Sequence, residues 1–76
     1  MFTKELKQAG HSRRFTITER AGEGWEVREE ADSRLVKVVQ YRDWHRVERA
    51  QKRIDLEVSK LEDGGWSQSS GQSTNR

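Results

Sequence analysis

Cysteine is absent from the 76 residues, which excludes disulfides, thiolate zinc sites and cysteine nucleophiles and fits a reducing, intracellular compartment. Long apolar runs are absent as well. Nothing approaches the roughly 20 consecutive apolar residues of a membrane span, and the first ten residues lack the apolar centre of a signal peptide. The expectation is a soluble, cytoplasmic protein with no membrane partner. Histidine is scarce: His11 and His45 are the only two, and neither has a histidine, cysteine or acid spaced to share a metal with it. Gly22 and Gly24 form a G-x-G without a third glycine or a following helix, which excludes a dinucleotide loop. No acid, base and nucleophile assemble into a catalytic set. These gaps point to a non-enzymatic protein that holds no cofactor and no metal.

Net charge is also small. Fifteen Lys and Arg stand against 13 Asp and Glu, and between Arg13 and Trp66 the two signs balance one for one. Phosphate binding usually draws on a visible basic excess, so a pI of about 9.3 supports nucleic-acid binding only weakly. With 30% hydrophobic residues the chain builds one small domain with a thin core, since chains this short bury only about 60% of their unfolded surface.

What the chain does have is an amphipathic helix over 43–63, started by Asp43 as N-cap and stopped by Gly64-Gly65, with Gly64 the candidate for the left-handed C-terminal residue and Trp66 folding back. At about 100° per residue, Trp44, Val47, Ala50, Ile54, Val58 and Leu61 share an arc roughly 120° wide, the stripe a helix buries. Upstream, three stretches alternate apolar and polar residues, predicting strands at 14–20, 25–30 and 35–41. Placing Ile17 opposite Val27 makes Ala21-Gly22-Glu23 a three-residue hairpin loop, with Gly24 suited to positive φ. A tight turn at Asp32-Ser33 then sets Val38 opposite Val27 and Val36 opposite Glu29, which directs Val36 and Val38 inward and Leu35, Val39 and Tyr41 outward.

The predicted architecture is α+β: a three-stranded antiparallel meander packed against one long C-terminal helix, βββα. The domain covers 13–66, residues 1–12 form a flexible arm in which 4–9 has at most one or two helical turns, and 67–76 is a disordered tail without an apolar residue. The element order, with a short N-terminal helix, is similar to that of double-stranded RNA-binding domains. Those begin their last helix with lysines where this chain has Asp43-Trp44-His45-Arg46, so the similarity is one of topology and carries no function.

Two surfaces are candidates for function. Leu35, Val39 and Tyr41 form an apolar strip on the outer face of an edge strand, fitted to a protein partner or to a second copy of the chain, unless Phe2 and Leu6 fold over it. Arg46, Arg49, Lys52 and Arg53, with Lys60, occupy the polar side of the helix and are placed to follow a phosphate backbone. The plainer reading of that side is a solvated face braced by Glu48–Lys52 and Arg53–Glu57 pairs. Glu26, Glu29, Glu30 and Asp32 read as a solubilising edge. Trp25 and Trp44 read as core residues, and Trp66 as a clasp or a contact residue. Protein interaction is the favoured role and nucleic-acid binding the alternative.

Overall fold

Ala9 and Gly10 turn the chain back on itself with φ of 50° and 84°, the geometry of a two-residue type I′ hairpin. They join β1 (Phe2–Gln8) to β2 (His11–Arg20), paired antiparallel from Phe2↔Ile17 to Gln8↔His11. The computed structural model, which describes residues 2–68, therefore makes a strand of the segment expected to be a flexible, partly helical arm. The physical reason lies in period two: Phe2 and Leu6 share a face, and pairing with β2 lets Leu6 become fully buried while its backbone groups enter a ladder. An isolated helix of two turns offers neither gain.

Residues 21–23 form the next loop and β3 (Gly24–Ala31) returns beside β2, with Ile17 opposite Val27 and Glu19 opposite Trp25 as the alternation predicts. Gly24 has φ of 96°. A Cβ there would run into the carbonyl oxygen of Tyr41 on the following strand, so glycine serves both the backbone angle and the close approach.

Asp32 and Ser33, both at positive φ, make a second type I′ turn into β4 (Arg34–Tyr41). Pairing starts in the anticipated register, Ala31↔Arg34 and Glu30↔Leu35, and then slips at Glu29/Glu30 so that Glu29 meets Lys37. Val36 is the extra residue of a β-bulge, and beyond it every side chain of β4 faces opposite to expectation. Val39 and Tyr41 turn inward beside Val27 and Trp25. Val38 lies opposite Arg28 on the outer face, and Val36 is exposed.

The helix α1 (Trp44–Asp63) begins where the Asp43 carboxylate accepts the amide of His45. At its end the Trp66 amide reaches the Leu61 carbonyl and the Gly65 amide that of Glu62, a Schellman arrangement in which the left-handed residue is Gly65, with φ of 102°, rather than Gly64. The side chain of Gln8 in β1 donates to the Gly64 carbonyl at 2.9 Å. The chain then adds a two-residue strand β5 (Ser67–Gln68) against Leu6 and Lys7. Ser67 and Gln68 thus leave the expected tail, whose residues 69–76 lie outside the described residues.

The sheet order is β4-β3-β2-β1-β5, all antiparallel neighbours. The α+β class stands, but four full strands precede the helix, and the similarity in element order to double-stranded RNA-binding domains ends with the N-terminal strand. One face of the sheet carries α1. Leu6, Phe15 and Ile17 pack there against Val47, Ile54 and Val58, with Phe2, Trp25, Val27, Tyr41, Leu61 and Trp66 around them. The other face carries polar pairs, with no second layer among the described residues: Arg14 with Glu5 and Glu30, Arg28 with Glu30, and Arg20 with Glu26. Trp44, expected in the core, is 46% exposed and leans on half-buried Trp25 with ring centroids 5.3 Å apart. Among the described residues no helix is long and apolar enough to cross a membrane.

Candidate interaction surface

β4 ends the sheet on one side, so its outward N–H and C=O groups pair with no strand among the described residues. Beside that free edge the bulge adds Val36 and Val38 to Leu35 in solvent, the three being 60%, 39% and 54% exposed. Alternation carried straight through β4 puts Leu35, Val39 and Tyr41 together on the outside. Only Leu35 is there. Val39 and Tyr41 are half-buried on the helix side, and Val36 and Val38 take their place outside. Phe2 and Leu6 do not cover the strip, because β1 lies at the far side of the sheet from β4.

The inner side of the same edge is charged. Tyr41 presents its hydroxyl to Arg53, 3.4 Å away. A cavity of about 140 Å³ opens between β4 and α1, with Lys37, Tyr41, Arg53 and Glu57 among its walls and Ala50 contributing only a methyl group from the helix. Two carboxylates also reach this cavity, Glu29 and Glu57, and both are held by one nitrogen of Arg13, at 2.6 Å and 3.1 Å. Arg13 stacks in turn on the Phe15 ring, 5.4 Å from its centroid. Its position two residues before Phe15 on the inner face of β2, diagonal to Glu29 once Ile17 faces Val27, was legible in the sequence as a cation aimed at the domain interior.

The predicted pairs along the helix do not form. Glu48 lies 3.6 Å from His45, Glu57 is taken by Arg13, and Lys52 and Arg53 make no ion pair among the described residues. Neither do Lys37, Arg42, Arg46 and Arg49. At about 100° per residue, Arg46, Arg49, Arg53 and Lys60 fall on the flank of α1 that overhangs β4, while Glu48, Asp55 and Glu62 fall on the opposite flank. The bond from Gln68 of β5 to Glu62 fixes that second flank over the β1 side. Lys52 and Leu56 project away from the sheet. The four helix cations named from sequence are therefore all exposed; Arg53 is the one that reaches β4, through Tyr41, while by angle Arg46 and Arg49 lie toward its side of the helix and Lys52 lies on the outer face.

His11, at the other end of the sheet, is 3.2 Å from Asp32. Asp32 also accepts the Ser12 amide at 2.9 Å. That backbone bond first, and the His11 bond second, hold the Asp32 carboxyl below its ordinary value. This cluster fastens the β3–β4 turn to the start of β2, where the Asp32 amide donates to the Ser12 carbonyl as well. Of the expected acidic edge, Glu29, Glu30 and Glu26 are each engaged by an arginine. Among the described residues no three His, Asp or Glu side chains converge as a metal-ligand set. No family model, curated protein or solved structure gives a significant match to the chain.

Proposed function

We propose that this protein is a non-enzymatic protein-interaction module that takes an extended segment of a partner onto the free edge of β4. The observation that supports it is the exposure of Leu35, Val36 and Val38 in a row beside an unpaired edge. Natural sheets usually blunt such edges, and β4 carries two of the usual devices, the bulge at Val36 and the inward Lys37, but no element covers it among the described residues; strand addition is the binding mode an uncovered edge serves. Main-chain hydrogen bonds supply affinity in that mode, and alternate side-chain contacts supply selectivity. A selection of random displayed peptides on the wild-type protein, repeated on Val38→Lys, tests this reading. Enrichment that disappears with the substitution is the expected result. Enrichment indifferent to β4, or none at all, refutes it.

A second reading is favoured by one observation: Arg46, Arg49, Lys52 and Arg53 are free of carboxylate partners among the described residues. Nucleic-acid binding through them would fall steeply with salt as counterions are returned to the phosphates. A gel-shift titration of single- and double-stranded RNA and DNA at two salt concentrations measures it directly.

A further inference from the structure

We infer that the segment accepted by β4 is one in which acidic and apolar residues alternate, lying antiparallel or parallel along the edge with its acids toward α1 and its apolar residues toward Leu35 and Val38. This rests on the strand-addition reading above and adds the chemistry of the partner. A strand added to a sheet sends successive side chains to opposite faces. On the outer face the added side chains meet Leu35 and Val38, both exposed. On the inner face they meet Lys37 and the mouth of the cavity beside Tyr41 and Arg53. Arg49 and Arg46 stand one and two helical turns before Arg53 on the same flank.

The sign of that inner side is set by Arg13. Glu29 and Glu57, the carboxylates that line the cavity, are both bound to its guanidinium. Lys37, Arg46, Arg49 and Arg53 have no ion pair among the described residues. An incoming carboxylate there gains attraction without displacing a native partner. A second copy of the chain is the poorer occupant. β4 carries Arg34 and Lys37, Arg42 follows it, and none of its residues is acidic, so antiparallel self-pairing sets like charges against one another across the new ladder. Nucleic acid shares the charge requirement but has no use for the apolar row on the outer face.

The test uses the full chain and synthetic peptides of the length of β4, eight residues. One alternates glutamate with valine; in two others glutamine or lysine replaces glutamate; a fourth is the acidic peptide N-methylated on alternate amides. Affinity is followed by titration and the site by backbone amide shifts. The acidic peptide is expected to move the β4 amides and to bind about tenfold more tightly than the glutamine peptide, two or three partly exposed charge pairs being worth that much together. N-methylation should abolish binding, which simple charge attraction to the helix would not require. In the doubly reversed variant Lys37→Glu/Arg53→Glu, with its fold checked by circular dichroism, preference should pass to the lysine peptide. Equal binding of all three charge types at β4 overturns the acidic preference and leaves strand addition standing. Failure of every peptide to reach β4 overturns both, as does salt-steep RNA binding that maps to Arg46, Arg49 and Arg53 with no peptide bound.

Discussion

Arg13 of β2 and Glu29 of β3 are joined at 2.6 Å across the inner face of the sheet, and the same guanidinium nitrogen reaches Glu57 of α1 at 3.1 Å. One cation thereby ties two strands to the helix at the end where the apolar core runs out. Replacing it by methionine keeps the packing on Phe15 and strands two carboxylates side by side. Glu29 is three-quarters buried at the side chain while Glu57 is nearly half exposed, so most of the loss comes from Glu29. Arg13→Met is expected to cost roughly 1–3 kcal/mol, and Arg13→Met/Glu29→Gln to recover part of it. Urea denaturation of the two variants beside wild type reads both values.

The burial of Leu6 makes β1 a structural strand. Leu6→Ala removes a fully buried side chain that packs on Phe15 and the helix stripe, and the expected loss is roughly 2–5 kcal/mol. For a domain of this size that is a large part of the total stability. A melting curve unmoved by Leu6→Ala would mean that the first eight residues contribute nothing to the fold.

The bulge at Val36 separates Val38 and Val39 in a way that thermal melts can read. Val39→Glu places a carboxylate on the helix side between Val27 and Tyr41 and should destabilise the domain by about 1 kcal/mol, the lost apolar packing and desolvation being offset in part by Lys37 and Arg53 on the same cavity. Val38→Glu, on the solvent face opposite Arg28, should change stability by no more than about 0.5 kcal/mol. Equal effects, or the reverse order, would restore the unbulged register.

The unequal legibility of the chain has physical causes. Alternation in 14–20 and 25–30 and the helix stripe of Val47, Ala50, Ile54 and Val58 determine register because each has one apolar face and one polar face. In β4, Val36, Val38 and Val39 make both faces apolar, so period two cannot choose between them. The signal that decides between them is aromatic: pairing Tyr41 with Trp25 on the core face requires one extra residue between the turn and Lys37. For β1 the obstacle was composition, since Lys4, Glu5 and Lys7 mask a strand whose only apolar anchors are Phe2 and Leu6. Of the candidate site, the individual cations were legible. Which flank of the helix faces β4 was not, because it depends on how α1 crosses the sheet, and neither was the freedom of Arg53 from Glu57, which depends on Arg13 taking that carboxylate.

Gly24 is the residue whose replacement tests the junction between the first hairpin and β4. Alanine there must accept φ near 96° and a Cβ crowded against the Tyr41 carbonyl. Gly24→Ala is therefore expected to destabilise by more than the 1 kcal/mol or so typical of a strained positive-φ site. Gly22→Ala has positive φ but open space around its Cβ, so it should cost less. Chemical denaturation of the pair isolates the steric part as the difference between them.

Asp32 gives the fold a pH dependence whose sign follows from its depressed pKa. The carboxylate accepts the Ser12 amide and faces His11, and both favour the charged form, the backbone bond more strongly. The contribution to stability is therefore fully present above the ordinary carboxylate value of 3.8 and is lost as pH falls through the lower folded value. Because the group is exposed to solvent, the effect should be local, loosening the β3–β4 turn before the domain unfolds. Protection of the Ser12 and Asp32 amides, each measured against its intrinsic exchange rate at that pH, should fall on acidification below that range while the helix amides keep theirs. His11→Ala should raise the Asp32 pKa only part of the way back to 3.8, since the Ser12 amide remains. Carboxyl-detected NMR titration of wild type and His11→Ala measures both shifts, and full restoration to 3.8 in the variant would show that histidine, not the backbone bond, sets the titration.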